Sequence, residues 1–419
     1  MKILHLSTFQ KQGGAAIAAV RLHEALLKSN VESGMLVQKR NAPAKEIVSL
    51  DDTFFHRKCY WWYFIAERLH FLPYEQNKAI RYSFSPARAG VDISNHPLIQ
   101  EADIIQLHWI NFGFLSLRSI EKLLALGKPV VWTMHDMWPF TGGCHYSRGC
   151  ERFTTTCQYC PYLSKPAEYD LSFEIFQRKA KIYLHKDITL VSPSRWLKDL
   201  ASAATLSKQL RSVVIPNPIN TQVFTPQNKT EIRKKLGLPE DKKLLLFVGA
   251  NTMDPRKGFP SFREAVNRIA KANAGFEIVI FGKSDMEIIS TLLPKVHNLG
   301  LLSDPVSISQ AYTACDLLVA PSLEDNLPNT IMEAMACGTP VVGFNTGGIP
   351  EMIDHKETGY VADYLSVESL AEGIKWVLDN PENLAENARN KVLNEYAEKV
   401  VADQYIKLYE SLLTQKMIQ

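Results

Sequence analysis

No window of this 419-residue chain offers a long uninterrupted apolar run, and without about 18 such residues no helix can cross a bilayer. The N-terminus, MKILHLST, lacks the extended apolar centre of a secretory leader and runs straight into a strand-like pattern. Charge of one sign is also scarce. Forty-seven Lys and Arg against 44 Asp and Glu leave a net charge of +3, too even a balance for a dedicated nucleic-acid binder. Short-period repeats and low-complexity tracts are missing, which excludes a solenoid array. What remains, 46% hydrophobic and 22% charged residues, is the composition of a globular protein of about two domains. The expectation is a cytoplasmic chain.

The apolar residues come in short runs separated by helical patterns. KILHLST, SGMLVQ, ADIIQLHW, KPVVWTMHD, DITLVSPS and SVVIPN read as buried strands of a first domain. After PNPINTQVFTPQNKT, whose three prolines mark a linker, the pattern restarts with KKLLLFVGA, FEIVIFG, VHNLG, DLLVAPS, PVVGFN and GYVAD. Strands alternating with longer helices predict parallel, doubly wound sheets in both halves. The expected boundaries are residues 1–222 for the first domain, carrying a Cys-rich loop over 141–163, and 223–398 for the second. A C-terminal helix over 399–419 is expected to pack back toward the first domain. One long helical tract from about Ser369 through Leu412 is predicted to break near Asp379 to Glu382.

The richest segment is APSLEDNLPNTIMEAMACGTPVVG, from Ala320 to Gly343. It reads as a turn-rich loop, a short helix and a buried strand. Pro328 and Asn329 mark the helix start, with Asn329 as the expected N-cap, and Gly338 and Pro340 end it. The unpaired N–H groups of such a start, near Thr330 and Ile331, suit an anion such as a diphosphate. Glu333 can accept hydrogen bonds from ribose hydroxyls, and Asp325 from those of a sugar. That mixture fits a nucleotide sugar.

This segment resembles the signature of the family 4 retaining glycosyltransferases of GT-B fold: Glu, seven residues, Glu, then Ala-Met-Ala-x-Gly-x-Pro-Val-Val. Glu333 and AMACGTPVV match, and Asp325 stands where the first Glu is usual. The resemblance implies two Rossmann-like domains facing across a cleft, the second binding the nucleotide-sugar donor and the first a glycan or lipid-linked acceptor. It extends to VGANTMDPRKGF, similar to the family's Gly-Arg-Leu…Lys-Gly segment, in which Arg and Lys clamp the donor diphosphate. Lys257 matches; Arg256 directly precedes it, whereas the family's Arg falls five residues earlier, where Thr252 stands. Fixed cations there would stabilise charge on the departing phosphate. The resemblance also assigns Gly13 and Gly14, after the first strand, to close approach of donor phosphate or acceptor. In VVWTMHDMWPF it places His135 facing the transferred sugar, with Asp136 orienting the imidazole or serving the acceptor. Gly347 and Gly348 are placed near the sugar or base. Catalytic roles thus fall to His135, Asp325 and Lys257. Binding roles fall to Gly13, Gly14, Asp136, Arg256, Asn326, Leu327, Pro328, Asn329, Thr330, Glu333, Gly347 and Gly348. Ser194 in PSRWL reads simply as a helix N-cap.

Two features lie outside that pattern. Cys144, Cys150, Cys157 and Cys160 fall within seventeen residues, a spacing open to a structural tetrahedral zinc, to disulfides, or to unliganded thiols. The stretch CYWWYFIAERLHFLPYEQNKAIRYSF sets Trp61, Trp62, Tyr63, Phe64, Phe71 and Tyr74 among cations. It suits a membrane surface, or the first domain's core or acceptor pocket. The expected activity is a retaining, hexosyltransferase-type transfer from a nucleotide sugar to a polysaccharide or lipid-linked acceptor at the inner membrane face. No catalytic metal is implied, and no nucleic acid. A nucleotide-sugar epimerase and a non-catalytic nucleotide-sugar binder are the alternatives.

Overall fold

The computed structural model describes residues 1–44, 46–251, 254–272 and 275–418. They form two compact units, Met1–Pro216 with the C-terminal stretch from Ala402, and Asn217–Val401.

The first unit carries seven strands: β1 (Lys2–Phe9), β2 (Glu32–Lys39), β3 (Ile47–Ser49), β4 (Ile104–Leu107), β5 (Val130–Thr133), β6 (Ile188–Ser192) and β7 (Arg211–Val214). All pair in parallel, in the order β3-β2-β1-β4-β5-β6-β7. The strands read as continuous apolar runs because helices cover both faces of a parallel sheet; β4, β5 and β6 are buried at every position. The predicted helical tract at the C-terminus is three helices, Val367–Asp379, Leu384–Glu395 and Glu398–Ile418. The second break, at Tyr396 and Ala397, carries no Gly or Pro to announce it. Instead the Tyr396 carbonyl accepts from Ile219 N–H, and Ala397 bridges to Ile219. Beyond Ala402 the last helix packs within the first unit. Tyr405 Oη meets Thr133 Oγ1 at 2.8 Å, and Tyr409 Oη donates to Gln106 Oε1 at 2.8 Å.

The second unit carries β8 (Lys243–Asn251), β9 (Phe276–Lys283), β10 (Val296–Asn298), β11 (Leu317–Ala320), β12 (Val341–Phe344) and β13 (Gly359–Ala362), in the parallel order β10-β9-β8-β11-β12-β13. Period-two alternation along β8 divides its core. Leu244, Leu246 and Val248 join Tyr312, Met332 and Met335 on one face, while Leu245 and Phe247 join Phe259, Phe262 and Val266 on the other. The β8–β9 register shifts between Val248 and Asn251, an irregularity of the kind that re-aims a strand end beside a site.

In each sheet the strand order reverses once, at β1/β4 and at β8/β11. Beyond the carboxyl ends of strands at such a reversal, neighbouring loops diverge and leave a crevice.

Candidate active site

In the first unit that crevice is floored by histidines. His5 lies within β1, His108 directly follows β4, and His135 stands two residues past β5. The three strands are neighbours, so the rings fall into a ladder. His5 Nδ1 lies 3.0 Å from His108 Nε2, and His108 Nδ1 lies 3.1 Å from His135 Nε2. The rings stack at centroid distances of 5.3 and 5.4 Å, close to the strand spacing of about 4.8 Å. Burial holds His135 down to about 4 and His5 and His108 well below the ordinary imidazole value. His135 is therefore a neutral, partly exposed ring at pH 7.

Asp136 is buried and turned the other way. Its Oδ2 accepts from Trp109 Nε1 (3.0 Å) and meets His145 Nδ1 at 2.7 Å; its Oδ1 accepts from Trp138 N–H at 2.9 Å. Burial alone would raise this carboxyl, but His145 and the two N–H donors outweigh it and hold it below the usual range. Of the roles open to Asp136, orienting an imidazole is what its contacts serve, and the imidazole is that of His145, not His135. Gly13 caps the helix Gly14–Lys28 with φ +88°, a left-handed conformation suited to glycine. Ser194 caps Arg195–Ala203 by accepting from Leu197 N–H at 3.1 Å.

The second unit gathers its charges at the ends of β8, β11 and β12. Lys257 Nζ meets Asp325 Oδ2 at 2.7 Å, with side-chain exposures of 24% and 16%. Arg256 Nη2 pairs with Asp254 Oδ2 at 2.8 Å, and the Arg256 carbonyl accepts from Leu323 N–H at 2.7 Å. Thr252 lies outside the described residues. Gly258, at φ +70°, brings that turn so near Pro321 that a Cβ would sit 1.9 Å from its carbonyl oxygen. Gly348 N–H donates to the Asp325 carbonyl at 3.1 Å. Gly347 lies equally close, with a Cβ there falling 1.9 Å from the same oxygen at φ +60°. Lys257, Asp325, Gly347 and Gly348 thus form one cluster, and Arg256 adjoins it through the loop.

The helix Asn329–Ala336 follows, with Pro328 at the N-cap and Asn329 as its first residue. The cap thus falls one position before the sequence expectation of Asn329, on an extended Pro328 that makes no side-chain cap bond. Glu333, one turn in, is buried and accepts from Tyr312 Oη at 3.1 Å, which fixes the carboxylate's direction. Asn326 and Leu327 are buried, and Leu327 belongs to the hydrophobic core, so only its backbone is left for a ligand. Replacing Gly347 with alanine is expected to cost the second unit about 1–3 kcal/mol of backbone strain, more with the collision against Asp325. An unchanged midpoint in denaturant unfolding would contradict that geometry.

The four cysteines line one small cavity of the first unit, with Phe84, Ser147 and Arg152 among the remaining walls. Burial raises the Cys144 thiol well above its usual value, Cys157 to about 11 and Cys160 to about 12. The Cys157 sulfur accepts from Gly142 N–H at 3.2 Å. Among the described residues no group of three or more His, Cys, Asp or Glu side chains stands arranged to hold a metal ion.

Sequence reasoning passed over His5, His108, His145 and Tyr312. The signal was a histidine within or just past three apolar strands, visible once their order is known.

Two parallel doubly wound units define the GT-B fold, and solved structures agree with it. Sucrose-phosphate synthase from Thermosynechococcus elongatus superposes with a TM-score of 0.68 at 19% identity, covering 99% of each chain. The Anabaena protein HepE, solved in complex with UDP and glucose, gives 0.63 at 16%, covering 98% of this chain and 100% of that one. The family follows from sequence. The model described as Glycosyltransferase Family 4 matches residues 12–223, and that described as Glycosyl transferases group 1 matches 228–399. The chain belongs to glycosyltransferase family 4. Among curated relatives, the putative colanic acid biosynthesis glycosyl transferase WcaC of Escherichia coli is 24% identical, over 75% of this chain and 77% of that one. An N,N'-diacetylbacillosaminyl-diphospho-undecaprenol alpha-1,3-N-acetylgalactosaminyltransferase of Campylobacter jejuni is 30% identical, over 46% of this chain and 53% of that one. The N-acetyl-alpha-D-glucosaminyl L-malate synthase of Bacillus anthracis is 26% identical, over 47% and 53%. The chain spans about half the length of several such relatives.

Proposed function

We propose that the protein is a retaining glycosyltransferase that moves a sugar from a nucleotide sugar to a polysaccharide or lipid-linked oligosaccharide acceptor. The observation that carries this reading is the second unit's cluster of Lys257, Asp325, Gly347 and Gly348 beside the start of the helix bearing Glu333. In this reading Glu333, aimed by Tyr312, accepts from the ribose hydroxyls. Lys257, Arg256 and the N–H groups at Asn329 and Thr330 hold the diphosphate, where the helix dipole adds to the positive field. Asp325 holds the sugar hydroxyls. As the bond from sugar to phosphate breaks, the electron pair leaves on the phosphate oxygen, whose charge these groups stabilise. The acceptor hydroxyl attacks from the same face, and its proton passes to the departing phosphate. His135, neutral and partly exposed, hydrogen-bonds sugar or acceptor. The names of the Escherichia coli and Campylobacter jejuni relatives support the acceptor class, and UDP in the Anabaena complex supports the donor class.

A calorimetric titration of nucleoside diphosphates and their sugars tests the donor site. One base and sugar should bind preferentially, and Glu333→Ala should weaken it about 10- to 100-fold, the value of one or two hydrogen bonds to a charged group. Tyr312→Phe, which keeps the carboxylate but removes one bond that aims it, should weaken binding less. Equal binding by wild type and Glu333→Ala would remove Glu333 from the site.

A further inference from the structure

The helix Phe54–Phe71 is amphipathic in the wrong sense for a helix facing only water. Its inner side is firmly seated. Phe71 is fully buried and stacks on Phe84 at 4.9 Å. Glu67, also fully buried, accepts from the N–H groups of Ala87 (2.6 Å), Arg88 (3.0 Å) and Ala89 (3.2 Å). Gly113 packs so tightly on the helix that a Cβ there would meet Phe64 N at 2.6 Å. The outer side is therefore a fixed surface, and it is apolar. Phe54, Trp61, Trp62, Leu69 and Leu72 recur at helical spacing with exposures of 68, 55, 61, 60 and 51%.

Charge on this face has one sign. The helix's single carboxylate is the buried Glu67, while Arg57 and Lys58 stand exposed beside Phe54, the Lys58 ammonium 4.4 Å from that ring. Neither Arg57 nor Lys58 has a carboxylate partner at ion-pair distance among the described residues. The nearest acids in sequence are engaged elsewhere, Asp52 with Arg40 at 3.1 Å and Asp51 with Ser49. Exposed indoles want a medium that is apolar at one end and wet at the other, and unpaired cations want an anionic plane. Among the described residues no helix is long and apolar enough to cross a membrane.

We propose that this face docks the protein on an anionic lipid bilayer, with Trp61, Trp62, Leu69 and Leu72 in the headgroup–acyl boundary and Arg57 and Lys58 on the lipid phosphates. The inference builds on the reading of a lipid-linked acceptor, which such docking would present to the first unit. Its test needs no turnover, so it stands or falls separately from the Glu333 titration.

The experiment is vesicle flotation with the full chain, comparing phosphatidylcholine alone with phosphatidylcholine containing phosphatidylglycerol. Wild type should float with the anionic vesicles, less so at high salt. The double variant Trp61→Ala/Trp62→Ala should lose at least about tenfold in partitioning, with its thermal midpoint unchanged because both rings are exposed. Arg57→Glu/Lys58→Glu should lose the preference for anionic lipid. Equal flotation by wild type and the tryptophan variant, or none by wild type, overturns the proposal. So does light scattering that shows a lipid-free dimer abolished by the tryptophan change, since the face would then belong to a second copy.

Discussion

Lys257→Ala is expected to lower kcat/KM by roughly 10²–10³, the usual loss when one fixed positive group is removed from developing charge. The position of the ammonium sets this loss. It sits at the carboxyl edge of the second sheet, 2.7 Å from Asp325, on a turn that only glycine at 258 permits. A partly exposed pair of this kind contributes about 1 kcal/mol or less to folding, so stability should barely change while turnover collapses. Arg256 should matter less, because its guanidinium turns back at 2.8 Å onto Asp254, two residues away in its own loop, whereas Lys257 reaches across to Asp325. Asp325→Asn with and without Lys257→Ala closes a double-mutant cycle. Coupling confined to stability, with turnover of Lys257→Ala within about threefold of wild type, would make Lys257 merely the partner of Asp325.

The second unit was the more legible half. Asp325 through Glu333 lie in one contiguous stretch, Ala320 to Gly343, where loop, helix start and strand follow in sequence and each step has local chemistry behind it. Arg256, Lys257, Gly347 and Gly348 join them from two glycine-marked loops. Only the cap moved, from Asn329 to Pro328, a one-residue shift at an element boundary. The first unit hid its site for a physical reason. The hydrogen bond from His5 to His108 spans 103 residues and that from His108 to His135 spans 27. Neither is visible until strand order places β1, β4 and β5 side by side. A histidine inside an apolar run reads as a polar interruption, not as one rung of a ladder. Asp136 was misdirected likewise: its partner His145 lies in the loop where the cysteines commanded notice, and sequence proximity favoured His135.

The histidine ladder also predicts a large acid sensitivity. Two neutral imidazoles satisfy one another, each giving one N–H and offering one lone pair. A proton added to His5 or His108 breaks that arrangement, because it forces an N–H onto His5 Nε2, a buried atom with no hydrogen-bond partner. His23, also buried, 2.7 Å from Ser33 Oγ and edge-on to the His5 ring, is lowered to about 4. The sign follows from proton counting. With folded values held below 6.5, the unfolded chain binds more protons as pH falls through that value. Stability is therefore fully present above about pH 6.5 and drains away toward pH 4. At pH 5.5, about one unit below the ordinary imidazole value, each histidine that the fold keeps neutral costs on the order of 1 kcal/mol. His5, His23, His108 and His135 together withdraw a few kcal/mol, on the order of 10 °C in midpoint for a unit of this size. Scanning calorimetry between pH 7.5 and 5.5 measures the slope, and His23→Gln should make it shallower by about a quarter, since one of four titrating groups is gone. A slope that His23→Gln leaves untouched, or a midpoint flat across this range, would mean that the ladder takes up protons without the cost its burial implies.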